Sequence, residues 1–198
     1  VRSIALLNDL GNIVPAASFA AGIKANFGTM VKPLHVGQCA RNGLLAALMA
    51  DAGYDANPAA LEHKQVFLNT FNGPGNFDID AIFENWANPI EILSPTMGLK
   101  QFPCCGSTHP AIAMALKLRQ EESIRPEDIA DVQIMPHRRR LPHTDNPDPQ
   151  TSLAAKFSVQ YAVARALVQG AVRLGDFEGD AHFDPVVRSV MEKSRAFP

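Results

Sequence analysis

The run from Val36 to Ala50 limits most strongly what this chain can fold into. Val36, Cys39, Ala40, Leu44, Ala47 and Leu48 recur at helical spacing, and residues 43–50 are apolar nearly all round. A helix of that kind belongs in an interior. In residues 27–35 just before it, Gly28 and Pro33 argue against a continuous helix. Pro33 also pushes Lys32 toward an extended backbone. The reading is a short, proline-stiffened loop carrying Lys32 and His35 at the N-terminal mouth of a buried helix over 36–51. The unpaired N–H groups and positive dipole end there suit an anion. A solvent-exposed Lys32 and a capping His35 are the plainer alternative.

The rest of the first hundred residues reads as short helices joined by loops. A helix is expected over 15–26, with Pro15 in its first turn. Another starts at Asn57 and Pro58 with Leu61, followed by a piece holding Val66, Phe67 and Phe71. After the glycine-rich stretch 72–77, Asp78 or Asp80 caps a helix through Ile82, Phe83 and Trp86, the last read as a core or interface anchor. The character changes near Glu91. Residues 99–104 read as extended. Ser107 and Thr108 cap an amphipathic helix with Pro110 in its first turn and a stripe of Ile112, Ala115, Leu116 and Leu118. Residues 129–135 alternate as a strand does. Residues 136–150 form a polar, proline-rich surface loop that would leave His137, Arg138, Arg139, Arg140 and His143 exposed. One long helix is expected over 152–169, and Asp184 and Pro185 open a last helix through Val187, Val190 and Met191. A single strand needs a partner, from residues absent here or from a weak strand not evident in the pattern.

Composition narrows the function classes. The chain has 198 residues, enough to bury a real core, with 46% apolar and 19% charged residues, which excludes global disorder. A net charge of −2 gives no diffuse basic surface for nucleic acid. Three cysteines are too few and too odd in number for a secreted disulfide framework, which implies a reducing compartment, read as cytoplasmic. No apolar run reaches membrane-spanning length and no signal-peptide pattern opens the chain. The start at Val1 suggests a piece of something longer.

Three clusters carry candidate chemistry. The first is Lys32 with His35. The second runs from Lys100 through Cys104 and Cys105 to His109. The third is Lys156 with Ser158 and Tyr161. In the second, adjacent cysteines without a two-residue spacer do not make a structural zinc site, and a vicinal disulfide would be strained. Cys105 lies just ahead of a helix start, where a thiol pKa falls, so a Cys–His pair with His109 stands beside the reading that His109 only caps or packs. In the third, Lys156 reads as a solvated or interfacial helix residue.

The order and spacing of three segments resemble the MmgE/PrpD family, which includes 2-methylcitrate dehydratase, cis-aconitate decarboxylase and iminodisuccinate epimerase. They are NFGTMVKPLHVGQCARNG (26–43), KQFPCCGSTHP (100–110) and LAAKFSVQYA (153–162). The resemblance runs from about residue 15 to the end. It implies a mainly helical α+β architecture, with residues 1–98 part of an all-helical domain and 99–198 part of a smaller α+β lid. It implies a homodimer without metal or organic cofactor, acting on small di- and tricarboxylates. By position it implies that Lys32 and Lys100 bind substrate carboxylate and stabilise the charge left when a proton leaves the neighbouring carbon. His35 would bind substrate or orient its loop, and Cys105 and His109 would line the site. Where the decarboxylase carries a histidine this chain has Cys105, which favours dehydration over decarboxylation. The family's first half supplies further site residues with no counterpart here, so the resemblance implies a fragment of a dehydratase-type lyase with little activity alone; a non-catalytic remnant that folds, dimerises or binds carboxylate without turnover is the alternative. An epimerase of the same family is a second, because both reactions begin with the same proton removal.

Overall fold

The computed structural model describes residues 16–61, 67–90, 92–96 and 98–198. It divides into two units, Val1–Ile23 with Pro33–Gly98, and Lys24–Lys32 with Leu99–Pro198. The fold class is α+β and mainly helical, with a two-stranded parallel sheet.

The first unit is built on α1 (Val31–Asp51), followed by the short α2 (Phe67–Asn72) and α3 (Ile79–Phe83). Helix α1 starts five residues earlier than the expected Val36, and it contains Pro33. Pro33 stands in the first turn, where its missing N–H had no intrahelical acceptor to lose, so Lys32 is helical rather than extended. The burial expected of α1 is also corrected. Ala46 and Ala47 are buried, but Val36 is 73% exposed, Leu44 60% and Leu48 53%. A 21-residue helix is roughly 30 Å long at 1.5 Å per residue, and helices of six and five residues are too short to cover it.

Other expectations in this unit are partly met. The helix expected over 15–26 is reduced, among the described residues, to a helical stretch at 16–18 and a 3-10 turn at Lys24–Asn26. Gly22, at φ +112°, breaks it, and a Cβ there would stand 3.3 Å from the His35 ring. Asn57 accepts from the Ala59 N–H as a cap does, but a turn follows rather than a helix. Val66 lies outside the described residues. Asp78 caps α3 as expected, accepting from the N–H groups of Asp80 and Ala81. Trp86 is 70% exposed, tilted on Phe83, and anchors no core.

The second unit has a proper core. Its elements are α4 (His109–Glu121), β1 (Val132–Ile134), α5 (Ser152–Ala155), α6 (Val159–Gln169), α7 (Pro185–Glu192) and β2 (Ser194–Ala196). Helix α6 is the axis, packed against α4 and α7 with nine consecutive residues, Val159 to Leu167, buried. β1 pairs in parallel with β2 in the register Val132↔Ser194 to Ile134↔Ala196. The partner strand is thus the weak one that the pattern concealed. Residues 101–104 are bends rather than extended chain, and 99–104 contain no strand.

The long helix expected over 152–169 is two helices. Ser158 breaks it. Its hydroxyl donates to the Asn146 carbonyl at 2.6 Å and accepts from the Tyr161 N–H at 3.0 Å, capping α6. The Val159 N–H goes to the Thr144 carbonyl. The proline-rich segment is accordingly not a free loop, since Leu141, Thr144 and Pro149 are buried beneath it.

Two polar groups inside α6 have partners. Gln160 donates to Asp145 at 2.6 Å. Arg165, 3% exposed, donates to the Tyr161 hydroxyl and to the Ala181 carbonyl, and its guanidinium faces Asp184 at 3.2 Å and Asp176 at 3.8 Å. The Tyr161 hydroxyl donates onward to the Asp176 carbonyl. Removing one partner of a buried ionic network leaves the others unpaired in a poor solvent. Arg165→Ala should therefore lower unfolding free energy by about 3–5 kcal/mol in urea denaturation. The same change at Lys117, whose pairing with Glu121 is solvent-exposed, should leave it nearly unchanged.

Candidate functional site

Lys32 is positioned by a threonine turn. Thr29 Oγ1 donates to the Asn26 carbonyl at 2.8 Å and accepts from the Val31 N–H at 3.2 Å, and the Thr29 carbonyl takes the Lys32 N–H. The chain enters this turn through Gly28 at φ +84°, a backbone state that a side chain would strain, with the Phe157 ring alongside. The Lys32 ammonium then stands 4.9 Å from the centre of the Phe27 ring and 5.0 Å from that of Phe157. The Lys24 ammonium lies 5.9 Å from the centre of the same Phe27 ring. Among the described residues no carboxylate pairs with either lysine.

The block 100–110 is tied to the α5–α6 break. The Cys105 N–H donates to the Lys156 carbonyl at 2.8 Å, and Lys100 donates to the Cys104 carbonyl at 2.7 Å. Thr108 closes the turn by donating to the Cys105 carbonyl, and its hydroxyl lies 3.2 Å from the Cys104 sulfur. All three cysteines are free. Burial pushes the Cys104 thiol pKa up, and Cys105 adds to that; the Thr108 hydrogen bond, Lys100 and Lys156 oppose it. Cys104 is a packed thiol, and it is Cys105, half-buried, that stands nearer solvent.

The histidines divide clearly. His109 turns edge-on to Phe102, with ring centres 5.3 Å apart, and its Nε2 is enclosed without a partner. His35 belongs to the first unit, against Gly22. His143, expected to be exposed, is half-buried because Ser107 Oγ binds its Nε2 at 2.9 Å and Phe27 meets its ring edge-on. Its pKa is lowered, first by burial and then by Lys24, Arg140 and Lys32.

A cavity of about 400 Å³ opens here, with Lys24, Phe27, Thr29, His143, Asp145 and Phe157 among its walls. Its charged walls are Lys24 and Asp145, the latter accepting from Gln160, and the Lys32 ammonium stands over the Phe27 and Phe157 rings that line it. Such a cavity suits a small anion, with a neutral imidazole on its wall. The structure joins Lys32 to the 153–162 segment through Phe157, and that segment to Cys105 through Lys156. Sequence reasoning missed His143 and Lys24. No local signal marks them, and only the Ser107 contact and the shared Phe27 ring draw them in. Among the described residues no group of three or more His, Cys, Asp or Glu is placed to hold a metal, and no helix is long and apolar enough to cross a membrane.

Fold and site together define a mainly helical α+β protein with an anion-suited cavity beside a lysine-bearing helix start. Residues 102–197 match the MmgE/PrpD C-terminal domain, and this stretch belongs to the MmgE/PrpD family. It is 26% identical over 182 residues to cis-aconitate decarboxylase of Homo sapiens, covering 90% of this chain and 37% of that protein. It is 25% identical over 187 residues to the Mus musculus enzyme of that name, with the same coverage. To that of Aspergillus terreus it is 28% identical over 179 residues, covering 82% of this chain and 36% of the relative. The chain thus spans a little over a third of the length of these curated relatives.

Thiolate chemistry requires loss of the thiol proton. At pH 7.5 a maleimide or aromatic disulfide reagent should modify exposed Cys39 first and Cys104 last in the folded chain. Mass spectrometry of timed digests checks the order, and rapid labelling of Cys104 would contradict its enclosed, raised-pKa state.

Proposed function

We propose that the cavity binds a small di- or tricarboxylate. The chain would then be part of a cofactor-independent lyase of the 2-methylcitrate dehydratase type, which removes a proton next to a carboxylate with loss of water. The observation that carries this reading is the pair of ammonium groups, Lys24 and Lys32, set on aromatic rings of the cavity and, among the described residues, in no ion pair with a carboxylate. Cations held this way attract a carboxylate and stabilise the enediolate that proton removal creates. Lys32 takes the carboxylate-binding role, with Lys100 and Cys105 on the adjoining block. His109 supports that block through Phe102. His35 is a candidate of the helical part, residues 1–98, and residues 99–198 form part of the lid. The protein works as a homodimer and needs no metal or organic cofactor.

The names of the relatives favour a second reading, decarboxylation of a tricarboxylate. It ranks lower because Cys105 occupies the position where the resemblance implies a histidine. Epimerisation shares the first proton transfer and is separated from dehydration by exchange of the substrate's α-proton without loss of water.

The deciding measurement is calorimetric titration with citrate and 2-methylcitrate. Wild type should bind. Lys32→Ala should weaken binding at least about tenfold, the worth of one charge-assisted hydrogen bond, and the Lys24→Ala, Lys32→Ala double variant should lose it. Equal affinity in the double variant would remove the cavity from consideration. Binding lost only in Lys100→Ala would move the site to the 100–110 block.

A further inference from the structure

We infer that His143 is the proton acceptor of this cavity and that Ser107 decides which of its ring nitrogens accepts. The inference rests on the carboxylate reading above and names the group that performs its first step.

The geometry singles out this imidazole within the second unit. His109 is enclosed against Phe102. His182 is buried with both ring nitrogens unpartnered. His137 is exposed, and its Nδ1 accepts from the Arg139 N–H. His143 lies on the cavity wall, with Nε2 at 2.9 Å from Ser107 Oγ and no hydrogen-bond partner for Nδ1 among the described residues. A neutral imidazole carries one N–H and one lone pair, and the partner of one nitrogen sets the state of the other. A serine hydroxyl can give or take the proton of this bond; we assign the tautomer in which Nε2–H donates to Ser107, which puts the lone pair on Nδ1, the nitrogen left for a ligand. Ser107 is anchored independently of His143, on the turn that Thr108 and Cys105 close ahead of α4.

The charges around the ring fit the role. Lys24 faces it from the segment before α1, Lys32 from the first turn of α1, Arg140 from its own turn, and Asp145, bonded to Gln160, from the loop that follows. In the empty cavity the cations oppose an imidazolium. A bound polycarboxylate neutralises them, and the proton affinity of His143 rises when a proton is on offer. In the step itself, the Nδ1 lone pair forms an N–H bond with the proton on the carbon next to a carboxylate. The C–H electron pair moves into that carboxylate as an enediolate beside the lysines. It then returns to make the carbon–carbon double bond as the β C–O bond breaks. The imidazolium hands the same proton to the departing hydroxide, which leaves as water. His143 ends as it began, and no oxidant or reductant enters.

The test is long-range ¹⁵N–¹H correlation spectroscopy of the 198-residue chain from pH 5 to 9, with and without citrate, and calorimetry of citrate alongside. His143→Gln identifies the signal. The expected wild-type state at pH 7.5 is Nε2 protonated and Nδ1 bare, with citrate raising the His143 midpoint by about one unit, a tenfold change in proton affinity. Ser107→Ala should let the two tautomers mix, and Ser107→Thr should restore the single one. A protonated Nδ1 in the wild type, or a tautomer indifferent to Ser107→Ala, overturns the assignment. Citrate heat with an unmoved His143 signal overturns this inference and leaves the carboxylate reading standing. Absence of citrate heat overturns both.

Discussion

The interruption between α5 and α6 is the constraint on which the second unit depends. Had residues 152–169 run as one helix, the Lys156 carbonyl would have been spent inside it. Because Ser158 restarts the helix, that carbonyl is free to take the Cys105 N–H, and Phe157 turns toward Gly28 and Lys32. One serine hydroxyl, bonded at once to the Asn146 carbonyl and the Tyr161 N–H, thereby aligns three distant stretches of chain. Helix α6 can hold this alignment because its buried Arg165 is paired with Asp184 and the Gln160 amide N–H reaches Asp145.

Electrostatics then separates two kinds of charge. Arg165 is satisfied by Asp176, Asp184 and two backbone or hydroxyl oxygens, and it belongs to the architecture. Lys24 and Lys32 are held instead by ring faces, which attract an ammonium without cancelling its charge. Aromatic placement fixes the cations in space while leaving their field open toward the cavity, an arrangement a salt bridge would have quenched.

Local patterns made much of the second unit legible. The α4 stripe of Ile112, Ala115 and Leu116, though not the exposed Leu118, the alternation at β1 and the Asp184 cap of α7 each declare themselves within a few residues. Three things did not. Strand β2 is Ser-Arg-Ala, with no alternation to read, and exists only because β1 offers it a ladder. The Ser158 break is decided by carbonyls at Thr144 and Asn146, a dozen or more residues away. His143 sits among prolines and arginines that read as solvated surface, yet Ser107 and Phe27 enclose it. In the first unit the apolar run of α1 fixed a helix correctly but not its cover, since periodicity reports what a helix can bury and not what lies against it. For the site, Lys32, Cys105 and the 153–162 segment were legible as motifs, whereas their convergence through Phe157 and Lys156 is a property of the fold.

The parallel pairing of β1 with β2 has a kinetic side. Val132 meets Ser194 across 62 positions of chain (194 − 132), and the intervening stretch contains α5, α6 and α7. Closing so long a loop for three residue pairs returns little against its entropy. The ladder therefore cannot lead assembly. It zips only after the helices between its strands have docked and brought Lys193 to the Ile129 carbonyl, so a formed sheet reports that the helical core has already been built.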